Sequence, residues 1–164
     1  MSSGAFRAGT FALIAAATAV GGYIASAPTI TLVRSEVRIV DELTGFQSPS
    51  GNVGCYIDLD MVRCDIAERD WAPPPRPADC YPGIGSGQGL LVSAGGDSGV
   101  VCAGDTALGN GAPLAYGDAI EAGTLRCDST EAAMTCRDSI TGHGFSLSRQ
   151  GYQLFCDRRA VTRP

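Results

Sequence analysis

Gly51-Asn-Val-Gly-Cys55-Tyr-Ile-Asp-Leu-Asp-Met-Val-Arg-Cys64 decides the fold, because its spacing, Gly-x3-Cys-x8-Cys, returns at Gly123-x3-Cys127-x8-Cys136. Each copy reads as an antiparallel hairpin closed by a disulfide. Residues paired across a hairpin have numbers of constant sum, so pairing Cys55 with Cys64 sets Tyr56 against Arg63, Ile57 against Val62 and Asp58 against Met61, around a turn at Leu59-Asp60. If Asp58 and Met61 form a hydrogen-bonded pair, alternation makes the cysteines a non-hydrogen-bonded pair. Such pairs bring Cα atoms to roughly 4.5 Å, within reach of a disulfide. The same arithmetic puts the second turn at Glu131-Ala132. Neither turn carries Asn-Gly or Asp-Gly, so a four-residue loop with the other pair type stays open. In the chain-entropy account, closing such a loop of about ten residues stabilises by roughly 3 kcal/mol.

Three of the seven cysteines remain: Cys80, Cys102 and Cys156. Cys80 precedes a strand pair read at Gly89–Ser93 and Gly99–Ala103, joined by the turn Gly95-Gly96-Asp97-Ser98, and Cys102 lies in its second strand. Locality therefore pairs Cys80 with Cys102 and leaves Cys156 as a free thiol or as a link to another chain. Zinc is the rival use of cysteine, but no two cysteines stand two to four residues apart and the chain has one histidine. No cofactor or metal is expected.

Paired cysteines belong to oxidising compartments, and the N-terminus reads as the route there. Arg7 is the only charge before an uncharged run that extends from Phe11 to Val33, with an A-x-A cleavage signal at Ala25-Ser26-Ala27. Pro28 follows the presumed cut, where proline hinders signal peptidase, and the run is long enough to span a bilayer, so an uncleaved anchor is the alternative to a signal peptide over residues 1–27. Without Arg7, 11 of the 12 basic residues face 17 acidic ones. All are arginine. That balance argues against nucleic acid and against anionic membrane surfaces, which leaves membrane contact to the N-terminal segment. Arg149, Arg158, Arg159 and Arg163 read as a solvated basic cluster, with residues 158–164 as a tail.

Residues 28–45 read as a linker or entering strand and 46–157 as one disulfide-rich domain. Phe46-Gln-Ser-Pro-Ser-Gly-Asn52 is a turn cluster. Pro73-Pro74-Pro75-Arg76-Pro77 excludes a central strand and reads as a stiff connector to Cys80. The alternating glycines Gly83, Gly85, Gly87 and Gly89 do not open a helix after a buried strand, so they read as a surface loop and not as a phosphate cradle. Gly109-Asn110-Gly111-Ala112-Pro113 reads as a second loop, and Phe145-x-Leu147 as a brief strand. Ser148 is placed to cap a short helix carrying Tyr152 and Phe155. The fold class is mainly β: a small disulfide-stapled domain of antiparallel hairpins, with at most that short C-terminal helix and an N-terminal hydrophobic export helix.

Phe46, Ser48-Pro-Ser-Gly-Asn52, Cys55, Arg63-Cys64-Asp65, Cys102-x-Gly104-Asp105, Tyr116-Gly117, the spaced Cys127 and Cys136, and Gly142-His-Gly-Phe-Ser-Leu-Ser-Arg149 occur in order. This combination resembles an actinobacterial, typically mycobacterial, family of small exported proteins known as a domain of unknown function. The resemblance spans about Phe46 to Phe155. It implies a secreted or envelope location and a six-cysteine framework, and it supplies no catalytic residue. Cys156 lies outside the shared pattern.

Function divides into three readings. A hydrolase would draw on His143, the single histidine, with Asp105 and a serine from Ser146 or Ser148, although no G-x-S-x-G elbow, HExxH helix or paired-carboxylate motif accompanies them. Flanked by glycines, His143 reads instead as an exposed turn residue, and Asp105 as a turn residue bonding to backbone. The favoured class is a non-enzymatic binding or structural module for a protein or envelope ligand, with Trp71, Tyr81 and Tyr116 as candidate contact aromatics; a secreted inhibitor or effector is a third reading. Processing is directly testable: intact mass of the native protein is expected to place the mature N-terminus at or near Pro28, and recovery of residues 11–33 in a membrane fraction would establish the anchor instead.

Overall fold

The structure is a computed structural model and describes residues 34–155. The export segment, Cys156, Arg158, Arg159 and Arg163 lie outside the described residues. Twelve strands follow in order: β1 (Val37–Ile39), β2 (Thr44–Gln47), β3 (Val53–Ile57), β4 (Met61–Ile66), β5 (Ser86–Ser93), β6 (Ser98–Cys102), β7 (Ala112–Pro113), β8 (Ala119–Ala122), β9 (Leu125–Ser129), β10 (Met134–Asp138), β11 (Gly144–Leu147) and β12 (Tyr152–Phe155). They form two six-stranded sheets, β1-β8-β9-β10-β11-β12 and β6-β5-β4-β3-β2-β7. The inner faces share one core, from Phe46, Ile57, Val62 and Leu90 on one side to Ile120, Leu125, Phe145 and Leu147 on the other.

The constant-sum registers are observed. Tyr56 pairs with Arg63 and Ile57 with Val62, while Asp58 N–H donates to Met61 O at 3.0 Å. Cys55 and Cys64 are bridged with Cα atoms 4.1 Å apart, as are Cys127 and Cys136. Cys80 is joined to Cys102. The two hairpin bridges meet at the centre of the core, where Cys64 Sγ lies 3.9 Å from Cys136 Sγ.

Cys136 follows Cys64 by 72 positions, and this repeat extends to topology. In one half β1 lies parallel to β8 of the opposite sheet and the chain then runs through the antiparallel β2 to β6; in the other, β7 lies parallel to β2 and the chain runs through β8 to β12. Arg38 pairs with Ile120 as Ala112 pairs with Phe46, and Val40 N–H donates to Glu121 O as Leu114 N–H donates to Gln47 O. Gly51 and Gly123, the glycines of the repeated pattern, both take positive φ, 72° and 57°. The halves are thus related by a pseudo-two-fold axis that passes between Cys64 and Cys136, and each contributes its first strand to the other's sheet.

Three segments differ from the sequence reading. Tyr152 and Phe155 lie on strand β12, not on a helix: Ser148 N–H donates to Gly151 O, which closes a hairpin, and pairing with β11 outweighs a weak local helical signal. The glycine run is only partly a loop, since Gly87 and Gly89 belong to β5. Ala112-Pro113 is strand β7, not loop. β1 lies within the segment 28–45.

Alternation explains the outer face of the second sheet. Arg63 and Asp65 flank the inward Cys64, so both point outward, yet they are only 4% and 1% exposed. The loop from Ala103 to Leu108 covers them. Asp65 accepts Arg63 Nε and Nη2 at 3.0 and 2.7 Å and Ala107 N–H at 2.8 Å; Arg63 also donates to Asp105 Oδ1 and O, both at 2.8 Å, and to Tyr56 Oη at 3.0 Å. Burial opposes the Arg63 charge, but the hydrogen bonds to Asp65 and Asp105 outweigh it and raise its pKa. A Cβ at Gly89, cross-strand from Asp65, would collide with the Asp65 carboxylate. Gly89→Ala is therefore expected to destabilise by about 1–3 kcal/mol, whereas Gly99→Ala, which meets open space, should cost far less. Arg63→Leu, which strands a buried carboxylate, should cost about 3–5 kcal/mol. Urea unfolding of the three variants measures these differences.

Candidate functional site

Because the pseudo-axis exchanges the two ends of the sandwich, their turns correspond: β2–β3 with β8–β9, β3–β4 with β9–β10, and β5–β6 with β11–β12. The ends have diverged. One is open, with a cleft of about 530 Å³, and the other is latched shut.

The cleft is walled by the turns at 48–52, 130–133 and 148–150, by the exit of β4, and by Tyr116. Each wall is braced by its own polar residues. Ser48 Oγ accepts Val53 N–H at 3.1 Å and shares a hydrogen bond with Ser50 Oγ at 3.0 Å, holding the turn that Pro49 and Gly51 shape. Asn52 uses both ends of its amide: Nδ2 donates to Glu68 O at 2.9 Å and Oδ1 accepts Glu68 N–H at 2.8 Å. Trp71 Nε1 donates to Ser148 O at 2.9 Å, Trp71 packs on Tyr152 with ring centroids 4.7 Å apart, and Arg149 bonds Glu68 and Asp70 at 3.0 and 3.3 Å. These contacts tie the two sheets together at the rim. Arg149 is thus part of a wall, not of a solvated tail.

At the opposite end, the buried Asp138 carboxylate accepts Thr141 Oγ1 at 2.9 Å, Thr141 N–H at 3.0 Å and Gly95 N–H at 3.2 Å, which binds a turn of one sheet to a turn of the other. Burial works against its charge, but donation from Thr141 and Gly95 prevails and holds its pKa below the ordinary carboxylate value. His143 adds to the latch. Its Nδ1 lies 2.8 Å from Gly96 O and 2.9 Å from Asp97 Oδ1; a carbonyl only accepts, so Nδ1 carries the proton. The histidine is not freely exposed: its side chain is 23% accessible.

The residues imagined for hydrolysis have separate partners. His143 bonds the β5–β6 turn, Asp105 bonds Arg63, Ser146 accepts from Thr135 and Ser148 bonds Gly151. Asp105 is also held below the usual carboxylate range by its hydrogen bond and charge interaction with Arg63, so it is a partner of a side chain and not simply a backbone-bonding turn residue. Among the aromatics, Tyr116 lines the cleft at 40% exposure, Trp71 is packed against Tyr152, and Tyr81, 72% exposed, lies on the connector before β5. Among the described residues no cluster of three or more His, Cys, Asp or Glu is arranged to hold a metal ion. The sequence reading missed the Arg63–Asp65 pair and the cleft. Strand alternation around Cys64 carried the signal for the first; the second is assembled from distant turns.

The lowered Asp138 pKa sets the sign of an acid effect. A depressed folded-state pKa contributes stability that is full above the unfolded carboxylate pKa, about 3.9, and is lost as pH falls through the folded value. Asp138→Asn is expected to be less stable at pH 7 by about 1–3 kcal/mol, and its deficit should narrow below about pH 4. His143→Ala, which loses one cross-turn hydrogen bond, should cost about 0.5–1.5 kcal/mol. Urea melts at several pH values check both.

Comparison with curated proteins and with solved structures finds no match to the chain. Residues 29–155 match the Family of unknown function (DUF6636), a span that takes in β1 and ends with β12. By this match over most of its length, the chain belongs to the DUF6636 family.

Proposed function

We propose that the chain is a non-enzymatic binding module, secreted or held at the cell envelope, and that the open cleft is where it takes a protein or envelope ligand. One observation carries this reading. Two ends that the duplicated topology makes equivalent have diverged, one sealed by Asp138 and His143, the other kept open with braced walls. A rim fixed before a ligand arrives lowers the ordering cost of binding, and residues quoted for the family resemblance, Ser48 to Asn52, Tyr116 and Ser148-Arg149, converge there. Three disulfides are typical of proteins outside the cytoplasm, and the A-x-A signal before Pro28 supplies a route. Residues 1–27 act as a cleaved signal, with the uncleaved anchor as the alternative, and Cys156, outside the described residues, is read as a free thiol or as a link to another chain.

A photo-crosslinking side chain placed at Gln150, on the rim, is expected to trap a partner in native cells, while the same group at Asp97, on the latched end, should not. Equal yields at both positions, or crosslinking from Asp97 alone, would sink the assignment of the cleft.

A further inference from the structure

We infer that the cleft takes a neutral, polyhydroxylated ligand, a short stretch of saccharide with Tyr116 as its ring platform. This rests on the binding-module reading above and names the chemistry of the same site.

The lining excludes the other ligand classes in turn. Its one arginine, Arg149, already faces Glu68 and Asp70 at 3.0 and 3.3 Å, and Glu131 adds a further carboxylate, so nothing there holds a phosphate or other anion. The apolar floor is too hidden for a lipid tail: Val53, Met134 and Leu147 are 5%, 2% and 0% exposed, which leaves little apolar surface to remove from water. An extended peptide that adds to a sheet needs an unpaired strand edge. Here the walls are turns and not an unpaired strand edge, closed by bonds such as Ser48 N–H to Val53 O at 2.8 Å and Thr130 N–H to Ala133 O at 3.1 Å.

What the cleft offers is a mixed set of donors and acceptors around an aromatic ring. Ser50, Gln150 and Glu131 stand on opposing walls, and the side chains of Gln150 and Glu131 make no hydrogen bond or ion pair among the described residues. A sugar presents hydroxyls that donate and accept along its edge and an apolar C–H face, which the half-exposed Tyr116 suits, since tyrosine joins an apolar body to a polar tip. The volume, about 530 Å³, is that of an ordinary small-ligand site.

The test uses the protein as exported, isotopically labelled and titrated with millimolar neutral oligosaccharides of glucose, galactose, mannose, arabinose and N-acetylglucosamine. At least one series is expected to shift the amides of Ser50, Asn52, Tyr116 and Gln150 saturably. Tyr116→Ala should weaken that binding about tenfold or more without changing the melting temperature, and Tyr116→Phe should retain most of it. Silence of these amides to every series, or unchanged affinity in Tyr116→Ala, overturns the inference. If the sugars are silent while the Gln150 crosslink persists, the ligand class fails and the binding module stands; if both are silent, both fail. A peptide mixture that shifts the same amides when no sugar does would assign the cleft to peptide instead.

Discussion

Four sulfurs at the centre of the sandwich set the terms for the rest of the molecule. Each hairpin bridge locks a non-hydrogen-bonded pair, so the register of β3 with β4 and of β9 with β10 cannot slip, and a slip of one residue would turn every core side chain to solvent. The 3.9 Å contact of Cys64 with Cys136 then sets the two sheets face to face. Around this axis the remaining core residues, such as Phe46 beside Cys55 and Ile120 beside Cys127, occupy matching positions in the two halves. A chain of this size gains a large share of its marginal stability from two such closures.

The outer faces are where the halves part company. In the first half Arg63, Asp65 and Gly89 form a buried polar node that holds the 103–108 loop over the sheet, and Gly54 leaves room for it, since a Cβ there would lie 2.5 Å from Ala107 O. In the second half the outer charges stay partly open: Arg126 donates to Glu121 at 2.5 Å and to Asp128 at 2.6 Å with roughly a third of each side chain accessible. Those two carboxylates raise the Arg126 pKa, but solvent-screened pairs of this kind add little to stability. The buried node is the costlier one to break, because removing either partner strands a charge.

The ends diverge by the same logic of local chemistry on a common frame. A two-residue connection at Gly123-Thr124 and the Asp138 carboxylate close one end, whereas the longer 48–52 turn and the Asn52–Glu68 clasp leave the other with a walled hollow. Function is therefore sought at the end where rigidity surrounds space and not where it fills it.

The spacing of Gly51, Cys55 and Cys64 and of its copy was enough by itself to define two hairpins and their registers, though not the length of their turns, because a disulfide and a period-two strand are local constraints that counting can follow. Alternation around Cys64 also carried the outward placement of Arg63 and Asp65, though not their burial, which depends on a loop some forty residues later. Only the tertiary structure decided that Tyr152 and Phe155 complete a sheet, that Gly89 makes room for a carboxylate, and that β1 and β7 cross to opposite sheets. It alone brought the turns at 48–52, 130–133 and 148–150 into one cleft and sent His143 to the other end. Those outcomes depend on contacts between residues far apart in the chain, whose packing free energy outweighs any local preference and leaves no periodic trace in the sequence.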